Sequence, residues 1–414
     1  MTPSLLSSQI RTAIEGFLKT TFPMANKAFA GAMDRLLAED GAVFKGPFIS
    51  LGLPFRLGSS SSYFPSVPLG FTPFLHQEKA FAKLQPSVGS STLIATGTGS
   101  GKTECFLLPI LSHCLASSAP GIKAIIVYPM NALATDQAGR IASMICSNPA
   151  LRGKVTAGLY VGSAGESPSS SMTASSVITS RAKLRLSPPD ILLTNYKMLD
   201  YMLIRPSDYG LWNGAALRYL VVDELHTFDG AQGTDLACLV RRLRARVGCG
   251  DSLCCVGTSA TLGAESLSSL CSYASRVFGT SFSSSSVIME ERLTAAEFLA
   301  SAPEEFQNMP LGGLLPASGE NPSSYLSRQL RLWFGSSSVD ATYGCVRHYL
   351  FRKLISVVGH SAVSMDDLLL ALRKVEPSVS GASVLSMLSV LSSARVSGRP
   401  LVHVRVRLWL RELQ

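Results

Sequence analysis

Between residues 92 and 256 the chain repeats one pattern: a short apolar run, a polar or glycine-bearing turn, then a longer stretch with helical spacing. The runs are Thr92–Ala95, Ala124–Tyr128, Gly158–Val161, Ile191–Thr194, Leu220–Asp223 and Ser252–Val256. Each is too short for a helix and apolar at consecutive positions, so both of its faces must be covered. Such runs alternating with helices predict an α/β domain, a parallel sheet with helices on both sides, over residues 73–290. With 414 residues and 46% apolar content the chain can bury that core and others besides.

The flanks read differently. Residues 1–72 form an N-terminal helical extension and connector. Ile10, Ala13, Ile14, Phe17 and Leu18, then Ala28, Met33, Leu36 and Leu37, predict two helices. Pro47, Pro54, Pro65, Pro68 and the serines at 59–62 predict an irregular connector over 46–72. The serine-rich segment 163–180 has little to bury and is expected to be a mobile surface loop. A helical region follows from about 264, with 313–340 loop-rich. Residues 291–414 read as a mostly helical accessory region, with helices over Cys345–Val358, Met365–Arg373 and Ala382–Ala394. Leu401–Leu413 then alternates as a strand. Val402, Val404, Val406, Leu408 and Leu410 share one face; His403, Arg405, Arg407, Trp409 and Arg411 share the other. Helices followed by such a strand suggest a winged-helix-like unit. Its basic face would suit phosphates, although a solvated strand face explains the pattern more simply.

The net charge is +9 at a pI near 9.1, which suits a polyanionic partner without identifying one. The nine cysteines contain no C-x-x-C pair, so buried reduced thiols are expected and a structural zinc site is not. The N-terminus lacks the signal-peptide pattern, and no apolar run approaches the roughly 18 residues of a membrane span. A cytoplasmic location without membrane contact is expected.

Chemistry concentrates in Ala95–Glu104, ATGTGSGKTE, where the strand at 92–95 turns into a helix. The N–H groups from 97 to 103 can wrap a β-phosphate, aided by the helix dipole. Gly97, Gly99 and Gly101 let the backbone approach; Thr96, Thr98, Ser100 and Glu104 complete the loop. Lys102 would reach the β- and γ-phosphates, and the Thr103 hydroxyl would ligate Mg²⁺. The strict phosphate-loop pattern wants glycine where Thr96 stands. In Leu220–His226 a buried strand ends on Asp223 and Glu224. Asp223 would hold Mg²⁺ and Glu224 would polarise an attacking water. Together the two elements predict a nucleoside triphosphatase using ATP and Mg²⁺.

These residues resemble superfamily 2 helicases of the DEAD/DEAH group. Asp223-Glu-Leu-His226 matches their motif II in its D-E-x-H form, and the loop matches motif I, whose first position is usually alanine. Ser259-Ala-Thr261 matches motif III, and Phe74-Leu-His-Gln77 looks like the Q motif. The resemblance implies that His226, Ser259 and Thr261 couple the nucleotide site to nucleic acid, and that Gln77 recognises adenine. It implies a RecA-like lobe for residues 73–290. Val127–Gln137 and Leu193–Leu203 look like motifs Ia and Ib of the Mrf-type, Lhr/RecQ-like branch, whose Y-P-x-N-A-L form bacterial phage-defence helicases share, and Gly158–Gly162 resembles the short glycine element between them. That places Pro129, Asn131, Gly162, Thr194 and Asn195 at the backbone of one nucleic-acid strand. The flank Gly46–Phe55 resembles the branch less specifically.

A motor of this kind closes a second RecA-like lobe over ATP, and that lobe carries a Q-x-x-G-R-x-x-R motif. Residues 264–414 contain no such motif. The chain is therefore expected to stop short of the second lobe, to bind Mg-ATP weakly, and to hydrolyse it slowly or not at all. The leading expectation is the N-terminal part of a DNA helicase or translocase that moves 3′ to 5′ in repair or phage defence. Its partners would be single-stranded or tailed DNA and a second lobe in cis or trans. The alternative is a non-motor ATP-dependent switch or split subunit. A P-loop kinase has no use for D-E-L-H or S-A-T. The choice of DNA over RNA follows the resemblance alone.

Overall fold

The protein is described here from a computed structural model covering residues 3–23, 26–38, 44–59, 63–97, 99–162, 168–260, 267–317, 319–359, 361–396 and 398–410. From the N-terminus the elements are α1 (Pro3–Thr21), α2 (Ala32–Ala38), β1 (Phe44–Gly52), α3 (Leu75–Leu84), β2 (Thr92–Ala95), α4 (Lys102–Ala116), β3 (Ala124–Tyr128) and α5 (Asn131–Ser147). Next come β4 (Ala157–Tyr160), α6 (Arg181–Leu186), β5 (Ile191–Asn195), α7 (Tyr196–Ile204), β6 (Tyr219–Val222), α8 (Gly230–Val247), β7 (Cys254–Ser259), α9 (Leu267–Phe278) and β8 (Val287–Met289). The remainder is α10 (Ala295–Leu299), α11 (Pro322–Phe334), α12 (Ala341–Arg347), α13 (Tyr349–Val358), β9 (Val363–Ser364), α14 (Met365–Arg373), α15 (Gly381–Ser393), β10 (Arg395–Val396), β11 (Arg399–Pro400) and β12 (His403–Leu410). Two compact units result: Phe55–Glu291, and Met1–Pro54 with Arg292–Gln414.

Phe55–Glu291 is a RecA-like α/β lobe. Its seven strands run in the order β4-β5-β3-β6-β7-β2-β8, and every pairing is parallel. Consecutive strand residues point to opposite faces. Ile94, Ile126, Leu193, Val221 and Val256 join Phe106 and Ile141 in one core layer. Their neighbours Leu93, Ile125, Leu192, Leu220 and Cys255 join Leu199, Leu239, Leu243 and Phe278 in the other. Continuous apolarity in the sequence thus marks strands covered on both sides. The seventh strand, β8, follows the helix α9 in the region expected from about 264 to be helical, and the sequence reading did not include it. At three residues of a mixed sequence, Val287-Ile-Met289, it shows too little periodicity to announce itself. Segment 163–180 also departs from expectation where it is described, since 163–167 lie outside the described residues. Val177 and Ile178 are buried, Ile178 bridges Gly158, and Thr173 and Ser169 make turn hydrogen bonds. The serines supply local bonding for a segment pinned by two apolar anchors.

The other unit packs its helices around Trp333, Phe351, Leu354, Met387 and Leu391. Its sheet runs β12-β1-β9, all antiparallel. Here β1 corrects the connector expected from residue 46 onward. Its ladder shifts register between Lys45 and Phe48, so Gly46 and Pro47 sit in the irregularity, where a missing N–H does no harm. The loop expected over 313–340 contains α11, capped by Asn321, opened by Pro322, and burying Tyr325, Gln329 and Trp333 on one face. The single helix expected over 345–358 is broken at His348, whose Nδ1 accepts the N–H of Leu350 at 3.2 Å and so starts α13. Among the described residues no helix is long and apolar enough to cross a membrane, no His, Cys, Asp and Glu cluster has metal-site geometry, and all nine cysteines are free.

Candidate functional site

Because every strand of the lobe is parallel, all carboxyl ends lie on one edge of the sheet, where α/β proteins place their ligands. Each segment singled out in the sequence leaves from that edge: the glycine loop after β2, Pro129 after β3, Gly162 after β4, Asn195 ending β5, Asp223 after β6 and Ser259 ending β7.

The loop takes the form a phosphate cradle requires. Gly99 and Gly101 have φ of 79° and 76°, left-handed values that suit glycine. Helix α4 starts directly after, at Lys102. Thr96 and Ser100 are buried; the Ser100 hydroxyl donates to Thr96 Oγ1 (2.8 Å) or to the Gly97 carbonyl (2.7 Å) and so holds the loop closed. A hydroxyl at 96 therefore has structural employment that glycine or alanine could not give. Thr98 lies outside the described residues. The Gly97 N–H donates to Glu290 Oε2 at 2.8 Å, so it is not among the free donors the sequence suggested. Glu290 follows β8, the strand that sequence reasoning missed.

Gln77 and His76, on the first turn of α3, grip the loop from below. Gln77 Nε2 donates to the Gly101 carbonyl (3.2 Å), and its Oε1 accepts the N–H of Phe74 (2.9 Å). A β-carbon at residue 101 would come within 2.3 Å of that amide nitrogen. Both ends of the Gln77 amide are thus bonded to backbone, and Gln77 is itself buried against the loop. His76 Nε2 lies 2.8 Å from the Ser100 carbonyl, a contact no motif had signalled.

Lys102 Nζ donates to Glu224 Oε1 at 2.9 Å, which joins the loop to the second element of the site. Glu224 has φ 49°, the sole positive value outside glycine among the described residues. Thr258 of β7 fixes this corner: its hydroxyl accepts the Glu224 N–H (3.0 Å) and donates to the Asp223 carboxylate. Burial pushes the Asp223 carboxyl above the usual range, and the Thr258 hydrogen bond works against that shift. His226 Nδ1 lies 3.5 Å from Glu224 Oε2 and 3.2 Å from the Ser259 hydroxyl, so it links motif II to the end of β7. Thr261 lies outside the described residues.

A third group comes from α5. Thr103 Oγ1 donates to Gln137 Oε1 (3.4 Å), which also accepts from Arg140 (3.1 Å), and Arg140 pairs with Glu104 at 2.9 Å. Glu104 is therefore a partner of α5. On the neighbouring part of the edge, Asn195 Oδ1 caps α7 by accepting the Met198 N–H (2.7 Å), and its Nδ2 donates to Asn131 Oδ1 (2.5 Å). Asn131 and Gly162 are exposed and Pro129 half-buried. Thr194 is the exception. It is fully buried and donates to the Tyr160 carbonyl at 2.7 Å.

These residues fit Mg-ATP. The cradle is formed, and a cation and two carboxylates converge on it. The Tyr128 hydroxyl at the end of β3 is buried without a hydrogen-bond partner, in the field of Asp223, Arg140 and Asp136. An orphaned donor there suits a water of a metal's shell.

Residues 74–270 match the family model for the DEAD/DEAH box helicase. The Druantia protein DruE of Escherichia coli is 28% identical over 52% of this chain and 17% of its own length. An uncharacterized ATP-dependent helicase of Methanocaldococcus jannaschii is 30% identical over 42% of this chain and 23% of its own. The chain thus spans about a fifth of the length of the curated relatives it matches. Among solved structures, the DNA-bound helicase MrfA is similar at 20% identity and a TM-score of 0.44, over 64% of this chain and 34% of that one. The family match, with motifs I and II meeting at one edge of a RecA-like sheet, identifies residues 74–270 as a DEAD/DEAH-type superfamily 2 helicase domain.

Proposed function

We propose that this chain is the ATP-binding part of a DNA helicase or translocase that turns hydrolysis into movement along single-stranded or tailed DNA. The observation that carries the reading is the meeting of Lys102 with Glu224 beside the Asp223–Thr258 pair, at the edge that also presents Asn131 and Asn195. The loop N–H groups from Gly99 onward and Lys102 would hold the β- and γ-phosphates; Thr103 and Asp223 would hold Mg²⁺. The metal, when bound, neutralises developing charge on the phosphates. For Lys102 to reach a phosphate it must exchange Glu224 for that oxygen, which frees Glu224 to orient the attacking water. Asn131 and Asn195 donate to the strand's phosphates, which fixes position without reading sequence. His226 and Ser259 pass the change between the two. The arginines that stabilise the transition state come from a second RecA-like lobe in cis or trans. The setting is cytoplasmic DNA repair or phage defence.

The test is an ATPase assay on this chain and on Glu224→Gln, with and without single-stranded DNA. Mg-ATP binding is expected from both. Turnover by this chain should be slow and DNA-independent, rising when the second lobe is supplied, and absent in the variant. DNA-stimulated turnover by this chain alone would overturn the assignment of the arginines to another lobe. Loss of Mg-ATP binding no greater for Lys102→Ala than for a surface control would sink the ATP site itself.

A further inference from the structure

The outer face of the β12-β1-β9 sheet carries a pattern that the helicase domain does not use. The β1–β12 register sets Lys45 opposite Trp409, Phe48 opposite Arg407, Ser50 opposite Arg405 and Gly52 opposite His403. Directly opposed residues on one face have their β-carbons about 5 Å apart, so the cations and rings alternate within reach of one another. The inward residues are accounted for: Ile49 and Leu51 are buried in the core, with Val404 packed against it. The outward ones are not. Lys45, His403, Arg405, Arg407 and Trp409 are exposed, and Trp409 keeps 60% of its surface in solvent.

Charge is the second observation. The β10–β11 hairpin, which leads into β12, carries exposed Arg395 and Arg399, and Arg395 acts on His403. Arg292 reaches the same face beside Gly52 and His403, anchored by a 2.6 Å hydrogen bond to the Leu53 carbonyl. From 395 to 414 the sequence has five arginines and one glutamate. Arg405 and Arg407 form no ion pair with any described carboxylate. His403 reports the resulting field, its imidazole pushed down by partial burial and then by Arg292, Arg405 and Arg395. A row of unpaired like charges on a sheet face costs self-repulsion that a stabilising device would avoid. Arginines spaced along a strand with an exposed indole among them match a chain of phosphates carrying stackable bases.

We propose that this sheet face is a second binding site for single-stranded nucleic acid, independent of ATP, with Arg405 and Arg407 on phosphates and Trp409 stacked on a base. It is distinct from the edge at Asn131 and Asn195, and it stands whether or not the motor reading does.

The experiment uses the whole chain and a 20-nucleotide deoxythymidine oligomer. Of the three tryptophans, Trp212 and Trp333 are buried, so iodide quenching of the native fluorescence reports Trp409. Saturating oligomer should protect that fluorescence from iodide, with or without Mg-ATP. In anisotropy titrations across KCl, Arg405→Glu with Arg407→Glu should weaken binding at least tenfold. It should also flatten the slope of log K against log salt by about 1.4, the value for two contacts on a single strand. Trp409→Ala should weaken binding at least fivefold with the slope unchanged, and Trp409→Phe should restore most of it. Asn131→Ala with Asn195→Ala should leave the protection intact, which separates this site from the helicase edge. Unprotected fluorescence under saturating oligomer, an undiminished affinity in the arginine double variant, or protection by an acidic peptide and not by the oligomer would each overturn the proposal.

Discussion

Thr258 shows how much of the site depends on a residue that belongs to no catalytic list. It sits fully buried on β7, between the Glu224 N–H and the Asp223 carboxylate. Glu224 holds a left-handed conformation, which costs a residue with a β-carbon about 1–2 kcal/mol, and the Thr258 hydrogen bond offsets that cost. Replacing Thr258 by valine keeps the shape and removes both bonds, leaving a carboxylate and an N–H unsatisfied. The expected loss of stability is about 2 kcal/mol, read from chemical denaturation, with Mg-ATP binding weakened alongside. Thr258→Ser should recover both. A valine variant as stable as the parent would show that the corner at Glu224 is held by something else. The sequence made Asp223, Glu224 and Lys102 readable because chemistry restricts their type and spacing. It left Thr258 and Glu290 unread because a hydroxyl or carboxylate that tidies a backbone group can come from anywhere in the chain. Thr194 is a different case: motif position sets it at the carboxyl edge of the sheet, and the structure buries its hydroxyl against the Tyr160 carbonyl.

At the scale of elements, six strands of the lobe were legible because burial on both faces writes itself as an unbroken apolar run. The seventh, β8, and the helix α11 were not, one for brevity and one because its buried positions are Tyr325, Gln329 and Trp333 among serines and arginines. Helix α13 shows what a periodicity argument overlooks. Its start depends on one imidazole, His348, which accepts the Leu350 N–H and donates from Nε2 to the Asn308 carbonyl (2.7 Å) while packed among Trp333, Phe334, Tyr349 and Phe351. Burial pushes its pKa down to about 4. An imidazole whose folded value lies below its unfolded value, near 6.5, binds more protons when unfolded. Stability is therefore full above about pH 6.5 and falls as pH drops towards 4, by about 3 kcal/mol over that window. Denaturation midpoints of the unit containing His348, followed through Trp333 fluorescence, should decline over that interval. His348→Gln should lower stability at pH 7.5 and remove most of the decline. A parent midpoint flat from pH 7 to 4.5 would mean that the ring is protonated as easily in the folded state as in the unfolded chain.

At the scale of the molecule, the RecA-like lobe occupies one contiguous stretch, Phe55–Glu291, and its alternation of strands and helices could be read along the chain. The other unit could not, because β1 and β12 come from opposite flanks of the lobe and pair across it in sequence, Ile49 with Val406 and Leu51 with Val404. No local pattern encodes which distant strand a given strand will meet, and the prolines around 47 and 54 argued against a strand at all. This arrangement has an energetic consequence. Ile49 has no exposed surface and belongs to the same core as Leu350, Phe351 and Leu391, so the N-terminal strand stabilises helices encoded three hundred residues later. Ile49→Asp buries an unpaired charge at the centre of the sheet, a change that costs several kcal/mol. The expected result is selective. Limited proteolysis should cut the variant within 292–410 and leave a fragment containing 74–270 intact. Its affinity for a fluorescent ATP analogue should stay within threefold of the parent, since Gln77, Lys102, Asp223 and Glu224 all belong to Phe55–Glu291. The oligomer's protection of Trp409 should disappear, because the face that carries it no longer forms. If ATP binding falls with the protection, the two units are one cooperative structure and the lobe does not stand without its flanks.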